Sequence, residues 1–340
     1  MLNRLFSLIT IFSLFLTVIF IGSGISLRAE NQTQQRGLVL TPALDELDVE
    51  KGQAYQIDLD VRNDTTDRVF NLVHTTETFA ASADEGVPIL KEFSAGDTQK
   101  TWIGYPQPLV KLNPGESRTS SVTLNIPKDA IPGGYYFALV IGENGSAEAG
   151  ENKLLINSRV GSLLFVNVLG QVDKQVSFDK FELDKKVYDP FLDSIDLEYK
   201  IRVAGNTFLK PAGNVFFGTQ DSTGSINLNP DGKIILPNSA RLFQSHIPAT
   251  NNLLGFLNSN TDKPTKARIE TIEKPWFGQK DIEAKIIYTD SNQDVTQKIV
   301  KTSAVFFPWK SGLLILLLIG AFTLLIFSGK TIYTKLKTNK

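Results

Sequence analysis

The stretch that decides the fold is NPGESRTSSVTLNIPKDAIPGGYYFALVI, residues 113–141. It opens on the turn 113–116, where proline fixes φ and glycine takes the left-handed position. Residues 118–126 then alternate apolar and polar side chains, which predicts a strand with one buried face. After Pro132-Gly133-Gly134, the run 135–141 is apolar on both faces and suits a central strand. The stretch therefore predicts two strands of a β-sheet.

Similar β-rich runs and turn clusters lie before and after residues 113–141. Residues 54–61 and 69–76 are β-rich runs around a turn at 63–67. The second half carries further predicted strands, among them 234–236, separated by turn clusters such as 229–232. A short helix is considered only at 252–258. Several short strands divided by turn residues are typical of a β-sandwich. We predict an all-β fold with two tandem immunoglobulin-like β-sandwich domains, at residues 36–170 and 171–308.

The N-terminal segment differs from this pattern. Residues 1–25 carry one cation, Arg4, followed by an almost unbroken apolar run. A charged start and an apolar run are the features of an export signal, so residues 1–29 are predicted to be a signal peptide. The apolar run is also long enough to remain as a membrane anchor. Cleavage near Ala29 is the preferred interpretation.

The C-terminal segment predicts a membrane anchor. Residues 311–327 hold no charge and are long enough to cross a bilayer as a helix. We therefore predict a transmembrane helix at 310–328 and a basic tail at 329–340. The tail contains four lysines and no acid, so the positive-inside rule places it in the cytoplasm. The chain is predicted to be a single-pass type I protein of the plasma membrane, with most of its residues outside the cell.

Charge and cysteine content exclude several kinds of function. Seven of the 35 Lys and Arg residues lie in the two terminal segments, which contain no acidic residue. The part of the chain between these segments therefore has 28 basic and 36 acidic residues, a net charge of −8. A nucleic-acid-binding protein has the opposite sign, so no nucleic-acid partner is predicted. The chain has no cysteine, which removes thiolate catalysis and thiolate metal sites.

No catalytic or metal-binding motif is found. His74 and His246 are the only histidines, and no G-x-S-x-G motif accompanies them. Residues 290–294 resemble the start of a calcium loop, but Val295 and Lys301 stand where glycine and glutamate are needed. Neither cofactor nor metal is predicted, and the chain is expected not to be an enzyme. A pair of carboxylates for glycan hydrolysis stays open, because any two acids can meet in the fold.

Four aromatic residues are candidate contacts for a ligand or partner. Trp102 and Tyr105 lie in the long connection 79–108, and Trp276 and Phe277 follow Pro275. Exposed aromatic rings on loops are typical of carbohydrate or protein contact. Aromatic side chains are more often buried, so the alternative is that Trp102 closes the core from an edge strand. The same pair of interpretations applies to Trp276 and Phe277.

Three blocks of sequence resemble the WxL-interacting protein family. They are residues 49–72 (VEKGQAYQIDLDVRNDTTDRVFNL), residues 110–141 (VKLNPGESRTSSVTLNIPKDAIPGGYYFALVI) and residues 213–244 (GNVFFGTQDSTGSINLNPDGKIILPNSARLFQ). The extended residues 38–41 and the terminal membrane helix add to this likeness. The resemblance implies a Gram-positive-type surface protein with an N-terminal immunoglobulin-like, peptidoglycan-binding domain and a C-terminal anchor. Similar N-P-G-E and I-P-x-G-x-Y patterns also occur in pilus chaperones.

These observations predict a non-enzymatic binding or scaffold protein of the cell surface. Its expected partners are a cell-wall polymer or another surface protein, together with the lipid bilayer through the C-terminal helix. The alternative is a chaperone-like or assembly module that acts by β-strand augmentation, in which an exposed edge strand pairs with a strand of the partner. A glycan hydrolase is the third hypothesis.

Overall fold

The computed structural model describes residues 37–82, 85–107, 111–143, 158–218, 225–249, 268–269, 274–275, 277–291 and 294–338, with backbone alone at 268–269 and 330–338. The predicted signal peptide and the helix considered at 252–258 lie outside the described residues. Within them, the chain is built of β-strands and ends in one long helix. The predicted all-β fold of two sandwiches is confirmed.

Among the described residues, ten strands form the first sandwich. They are β1 (Leu38–Thr41), β2 (Leu44–Val49), β3 (Ala54–Asn63), β4 (Phe70–Ala81), β5 (Pro88–Lys91), β6 (Ile103–Gly104), β7 (Lys111–Leu112), β8 (Ser117–Asn125), β9 (Gly133–Glu143) and β10 (Arg159–Val168). One sheet has the order β1–β3–β8–β6, and the other has the order β2–β10–β9–β4–β5, with β7 also paired to β4. All pairs are antiparallel except β2 with β10.

In the part of the second sandwich that the structure describes, there are nine strands. They are β11 (Lys174–Leu183), β12 (Val187–Tyr188), β13 (Ile195–Gly205), β14 (Ala212–Phe217), β15 (Ser225–Asn227), β16 (Ser239–Ile247), β17 (Arg268–Ile269), β18 (Gly278–Thr289) and β19 (Val295–Phe306). Their sheets have the orders β11–β13–β16–β17 and β12–β19–β18–β14–β15. The predicted boundary at 170/171 falls between β10 and β11.

Alternation along the strands builds each core. In β3, Ile57, Leu59 and Val61 are buried while the residues between them are exposed. Successive side chains of a strand point to opposite faces, so this pattern puts one face into the core. Burying each such side chain contributes on the order of 1.5–3 kcal/mol. The same period gives the second sandwich its core, for example through Ile282, Ala284 and Ile286 of β18.

The central strand β9 is buried on both faces, as its apolar sequence predicts. Phe137, Leu139 and Ile141 belong to the core of the first sandwich. The opposite face, with Ala138 and Val140, belongs to a smaller cluster that also contains Leu236 of the second sandwich. The two sandwiches therefore share an apolar contact, and the aromatic rings of Phe165 and Phe208 meet there at 5.4 Å between centroids. This contact is not predicted by the sequence.

Two local predictions need correction. The described residues of the connection 79–108 do not form one loop, because they contain the end of β4, β5, the short 3-10 helix Thr98–Trp102 and β6. Residues 234–236, predicted as a strand, form only an isolated bridge between Ile235 and Leu209. Short pairings decide both conformations: β5 pairs with β4, β6 with β8, and Ile235 with Leu209. Local alternation does not report them.

The chain ends in helix α1 (Trp309–Thr338). Its segment Trp309–Gly329 is long and apolar enough to cross a membrane, and none of that segment is buried against the rest of the protein. It matches the predicted span 310–328. The neighbouring strand β19 leads into it through Phe307 and Pro308.

Candidate functional site

Trp102 is a core residue. Its side chain is only 5% exposed, and its ring lies 4.5 Å from that of Tyr135 and 6.2 Å from that of Phe137. It ends the short 3-10 helix and precedes β6, the edge strand of its sheet. This placement matches the interpretation in which Trp102 closes the core from the edge, and it leaves the ring little surface for a partner.

Tyr105 lies beside an open groove of about 540 Å³. Its ring stacks on His74 at 4.4 Å, and its hydroxyl is 2.7 Å from Thr76 Oγ1 and donates to the Thr75 carbonyl at 3.3 Å. Burial raises the pKa of Tyr105, against an opposing hydrogen bond from Thr76. The groove also has two carboxylates and one ammonium in its lining, from Glu77, Glu92 and Lys100.

Phe277 lies far along the chain from this groove. It directly precedes β18, is 56% exposed, and its ring centroid is 5.9 Å from that of Phe307, next to the start of α1. Trp276 lies outside the described residues. Tyr105 belongs to the first sandwich and Phe277 to the second, so the predicted contact residues do not form one site.

Each of the two histidines has a hydrogen-bonding side chain beside its ring. His74 Nε2 is 2.7 Å from Ser120 Oγ, and burial lowers the pKa of His74. His246 Nδ1 is 2.6 Å from Asp196 Oδ1. Among the described residues, no group of three His, Asp or Glu side chains could hold a metal ion.

A buried pair of carboxylates lies at the base of the second sandwich. Asp189 and Asp193 are both buried, but donors surround them. Asp189 accepts from Phe191, Leu192 and Ser311, and Asp193 accepts from Lys310 at 2.6 Å. Burial would raise the pKa of Asp189, but these hydrogen bonds outweigh it and lower the pKa. The pair therefore serves as a structural tie to α1 and does not resemble the open carboxylate pair of a hydrolase.

The strongest candidate for a binding site is the free edge of β19. In the first sandwich, β2 covers the last strand β10 over the six-residue length of β2, Leu44–Val49. The corresponding strand of the second sandwich, β12, pairs only with Val305 and Phe306 of β19. Within the described part of the chain, no strand pairs with residues 295–304 on that side. A row of backbone groups is thus left open.

The direction of the backbone groups along β19 follows from one hydrogen bond. The N–H of Val305 donates to Lys186 O at 2.8 Å, on the side away from β18. The register between β18 and β19 is continuous, and in an antiparallel strand alternate residues direct both N–H and C=O to the same side. The outward-directed set is therefore Val295, Gln297, Ile299, Lys301 and Ser303.

A further edge strand, β11, is protected. β11 has ten residues, but its register is broken between Phe178 and Lys180. Its edge also carries ion pairs from Asp179 to Arg202 and from Lys180 to Glu198. Bulges and charged side chains are the devices that keep an edge from pairing. Residues 295–304 have no bulge, no proline and no acid.

The side chains around this edge are apolar and cationic. On the outer face, Val295 is 78% exposed, and Ile299 and Val305 are exposed as well. On the inner side, the partly buried Val300 of β19 packs against the core. The charges along 295–304 are those of Lys298 and Lys301, and Lys301 pairs with Glu283 at 2.7 Å. No sequence signal identifies this site, because it depends on how little of β19 is covered by β12.

Comparisons with known proteins concern the fold. No protein-family model matches the chain, and no curated protein is similar to it. Solved structures that are similar include a chain of the chaperone–tip adhesin complex of CFA/I fimbriae biogenesis, at 12% identity over 62% of this chain and 92% of that chain, with a TM-score of 0.35. The E. coli chaperone DraB has 8% identity over 78% and 97%, with a TM-score of 0.32. The periplasmic chaperone SfaE has 12% identity over 80% and 100%, with a TM-score of 0.29. At these values the likeness is one of fold and does not extend to function.

Proposed function

We propose that this chain is a membrane-anchored surface protein that binds an extended segment of another protein by strand addition to the free edge of β19. The observation that carries the proposal is the row of outward-directed backbone groups along residues 295–304. Strand addition uses such a row for affinity and the alternate side chains for specificity. This is the assembly function considered from the sequence.

Affinity would come first from the backbone. A segment laid along β19 would exchange hydrogen bonds with the outward-directed residues, and each such bond contributes about 0.5–1.5 kcal/mol net. Ordering the segment costs free energy, so backbone pairing alone supports modest affinity. Selectivity then depends on the side chains of the bound segment.

The chemistry of the bound segment follows from the edge. Alternate apolar residues of the segment would cover the partly buried Val300 of β19. Lys298 lies on an edge that carries no acid of its own, so an acidic residue in the segment would complement it. The partner is therefore a protein segment that alternates apolar and polar residues and carries a negative charge.

The same proposal places the chain on the membrane. Segment Trp309–Gly329 would span the bilayer, with the lysine-containing tail in the cytoplasm and both sandwiches outside. An anchored module of this kind holds its partner segment near the membrane surface. The proposal requires no catalysis.

The test uses proline at an outward-directed position. Ile299→Pro removes one donor from the free edge and leaves the pairing with β18, whereas Ile299→Thr keeps the N–H and the preference for strand. The full chain in lipid nanodiscs is screened against a displayed library of random twelve-residue peptides. Selected peptides should show apolar residues at every second position, and Ile299→Pro should weaken their binding at least tenfold while Ile299→Thr weakens it much less.

Two controls make the result decisive. Hydrogen exchange at Gln297, Ile299 and Lys301 should slow when a selected peptide binds. Equal binding to the proline and threonine variants, or protection elsewhere than β19, would contradict the proposal. Circular dichroism of each variant shows that the fold is kept.

A cell-wall polymer is the second candidate partner, and the groove beside Tyr105 favours it. An aromatic ring next to Glu77, Glu92 and Lys100 combines an apolar face with polar groups, as polymer-binding grooves do. Retention of the full chain on isolated cell walls is compared for the native protein, Tyr105→Ala and the distant Ile131→Ala. Loss confined to Tyr105→Ala would favour this function, and equal retention of all three would count against it.

A further inference from the structure

The base of the second sandwich has a group of exposed aromatic residues around the start of α1. We call this group the collar and define it as Phe191, Phe277, Phe307 and Trp309. Their exposed fractions are 36, 56, 48 and 49%. The residues come from three separate parts of the chain, namely the β12–β13 turn, the start of β18 and the β19–α1 junction. Large apolar side chains exposed together mark an interaction surface.

Several contacts hold the collar together. The rings of Phe277 and Phe307 have centroids 5.9 Å apart, and the N–H of Phe307 donates to Tyr188 O at 2.9 Å. The N–H of Phe191 donates to Asp189 Oδ1 at 3.0 Å. The same Asp189 carboxylate binds Ser311, so the turn that carries Phe191 lies against the first turn of α1.

The tie between the collar and α1 is polar and buried. Ser311 donates to Asp189 Oδ2 from its N–H at 2.8 Å and from its hydroxyl at 3.0 Å. Lys310 Nζ donates to Asp193 Oδ1 at 2.6 Å, and Lys274 Nζ donates to Asp193 O at 2.6 Å. Helix α1 therefore leaves the sandwich in a defined direction, because buried charged hydrogen bonds hold its first turn.

The occupant of the collar follows from its continuity with the apolar helix. Trp309 is both the first residue of α1 and a member of the collar, and the span that begins there is unburied throughout. Aromatic side chains favour the headgroup level of a bilayer, where the rings are half in and half out of water. Exposed Lys185 and Lys186 flank the neighbouring strand β12, and cations at this level are attracted to lipid phosphates.

We propose that the collar lies in the lipid headgroup layer, so that the second sandwich rests on the membrane surface in a fixed orientation. This inference depends on the proposed membrane anchoring. Because β19 ends at the collar, the two residues that β12 covers would lie nearest the bilayer. The free edge at 295–304 would follow them over a length of roughly 33 Å, at about 3.3 Å per residue. A partner segment would then have one end close to the membrane surface.

Spin labelling of the full chain tests the collar, and the absence of native cysteine allows single labels. Labels are placed at Phe277→Cys and Phe191→Cys in the collar, at Leu318→Cys inside α1, and at Val295→Cys at the far end of β19. Each chain is reconstituted in vesicles of phosphatidylcholine and phosphatidylglycerol. The collision rates of the nitroxide with oxygen and with a water-soluble nickel complex give its depth.

The labels separate this inference from the proposed anchoring. We expect the label at 318 to lie in the hydrocarbon, those at 277 and 191 at headgroup depth, and that at 295 in water. If the label at 318 is in the bilayer while those at 277 and 191 are as accessible to nickel as the label at 295, the collar is overturned and the anchor stands. If the label at 318 is in water, the anchoring itself fails.

Discussion

The Asp189 carboxylate accepts a hydrogen bond from the backbone N–H of Ser311 at 2.8 Å. These residues are far apart in sequence, one after the short strand β12 and the other in the first turn of α1. The first N–H groups of a helix have no partner within the helix, and a carboxylate there is also favoured by the helix dipole. One buried side chain of the sandwich thus caps the apolar helix.

Replacing Asp189 should loosen this junction. Asp189→Ala leaves the amides of Phe191, Leu192 and Ser311 without their acceptor, and an unsatisfied buried donor costs about 1–3 kcal/mol. Hydrogen exchange of these amides should therefore accelerate by roughly five- to 150-fold. The exposed Asp129→Ala is the control and should leave their exchange unchanged. Unchanged exchange in Asp189→Ala would show that the carboxylate does not hold the helix.

Acid should act on the same junction in the native chain. Hydrogen bonds lower the pKa of Asp189 below its ordinary 3.8, so its stabilising effect is fully present above that value. It is lost as the pH falls through the lower pKa of the folded state, because protonation then removes the acceptor charge. The rate of hydrogen exchange at the Ser311 amide should therefore differ between the native chain and Asp189→Ala at pH 6. In strong acid the two rates should become equal. A difference that persists to the lowest pH would contradict this assignment.

Two buried tyrosines should respond differently to loss of the hydroxyl. The Tyr199 hydroxyl donates to Leu228 O at 2.6 Å, so Tyr199→Phe should lower the free energy of unfolding by about 1–3 kcal/mol. The Tyr136 hydroxyl is buried without a well-formed hydrogen bond to the described residues, and Tyr136→Phe should be nearly neutral or stabilising. Urea denaturation of both variants measures the difference. The reverse order of effects would contradict the hydrogen-bond assignment.

Trp102 should matter for stability. Trp102→Ala removes a buried ring from the first core and should lower the free energy of unfolding by about 3–5 kcal/mol. The same substitution at the half-exposed Trp309 should change the unfolding of the first sandwich by less than about 0.5 kcal/mol. Denaturation followed by exchange of β9 amides reports on that sandwich. A small effect at Trp102 would return this residue to the list of candidate contacts.

Lys274 should make the second sandwich sensitive to alkaline pH. Burial lowers the pKa of Lys274 from 10.5 to about 8, against the opposing attraction of Asp193 and Asp189. Between pH 8 and 10.5, Lys274 is therefore more often protonated in the unfolded chain than in the folded one. The free energy of unfolding should then rise with pH from about 8 to 10. Lys274→Met should lack this rise, which thermal unfolding at several pH values measures. Parallel pH profiles for the native chain and Lys274→Met would show that Lys274 is not the cause.

Much of the fold can be predicted because alternation and turn residues are local signals. Ala54 to Val61 alternates along the printed sequence, and the same residues lie in β3 with Ile57, Leu59 and Val61 buried. The apolar run 135–141 predicts a central strand, and β9 is one. Alternation and turn residues do not predict the candidate site. Tyr105 is predicted only as a candidate contact residue beside Trp102, and its stacking on His74 depends on how distant strands pack.

The sequence by itself determined the β-rich pattern, the net negative charge between the terminal segments and the apolar C-terminal segment, because composition and periodicity can be read without the fold. Only the tertiary structure decided that Trp102 is buried, that Asp189 caps α1 and that β19 keeps an open edge. Each of these depends on which strands pair and over what length. The pairing of β12 with β19 covers only Val305 and Phe306, and no other strand of the described ranges pairs with the rest of β19 on that side. No local pattern encodes the length of that pairing.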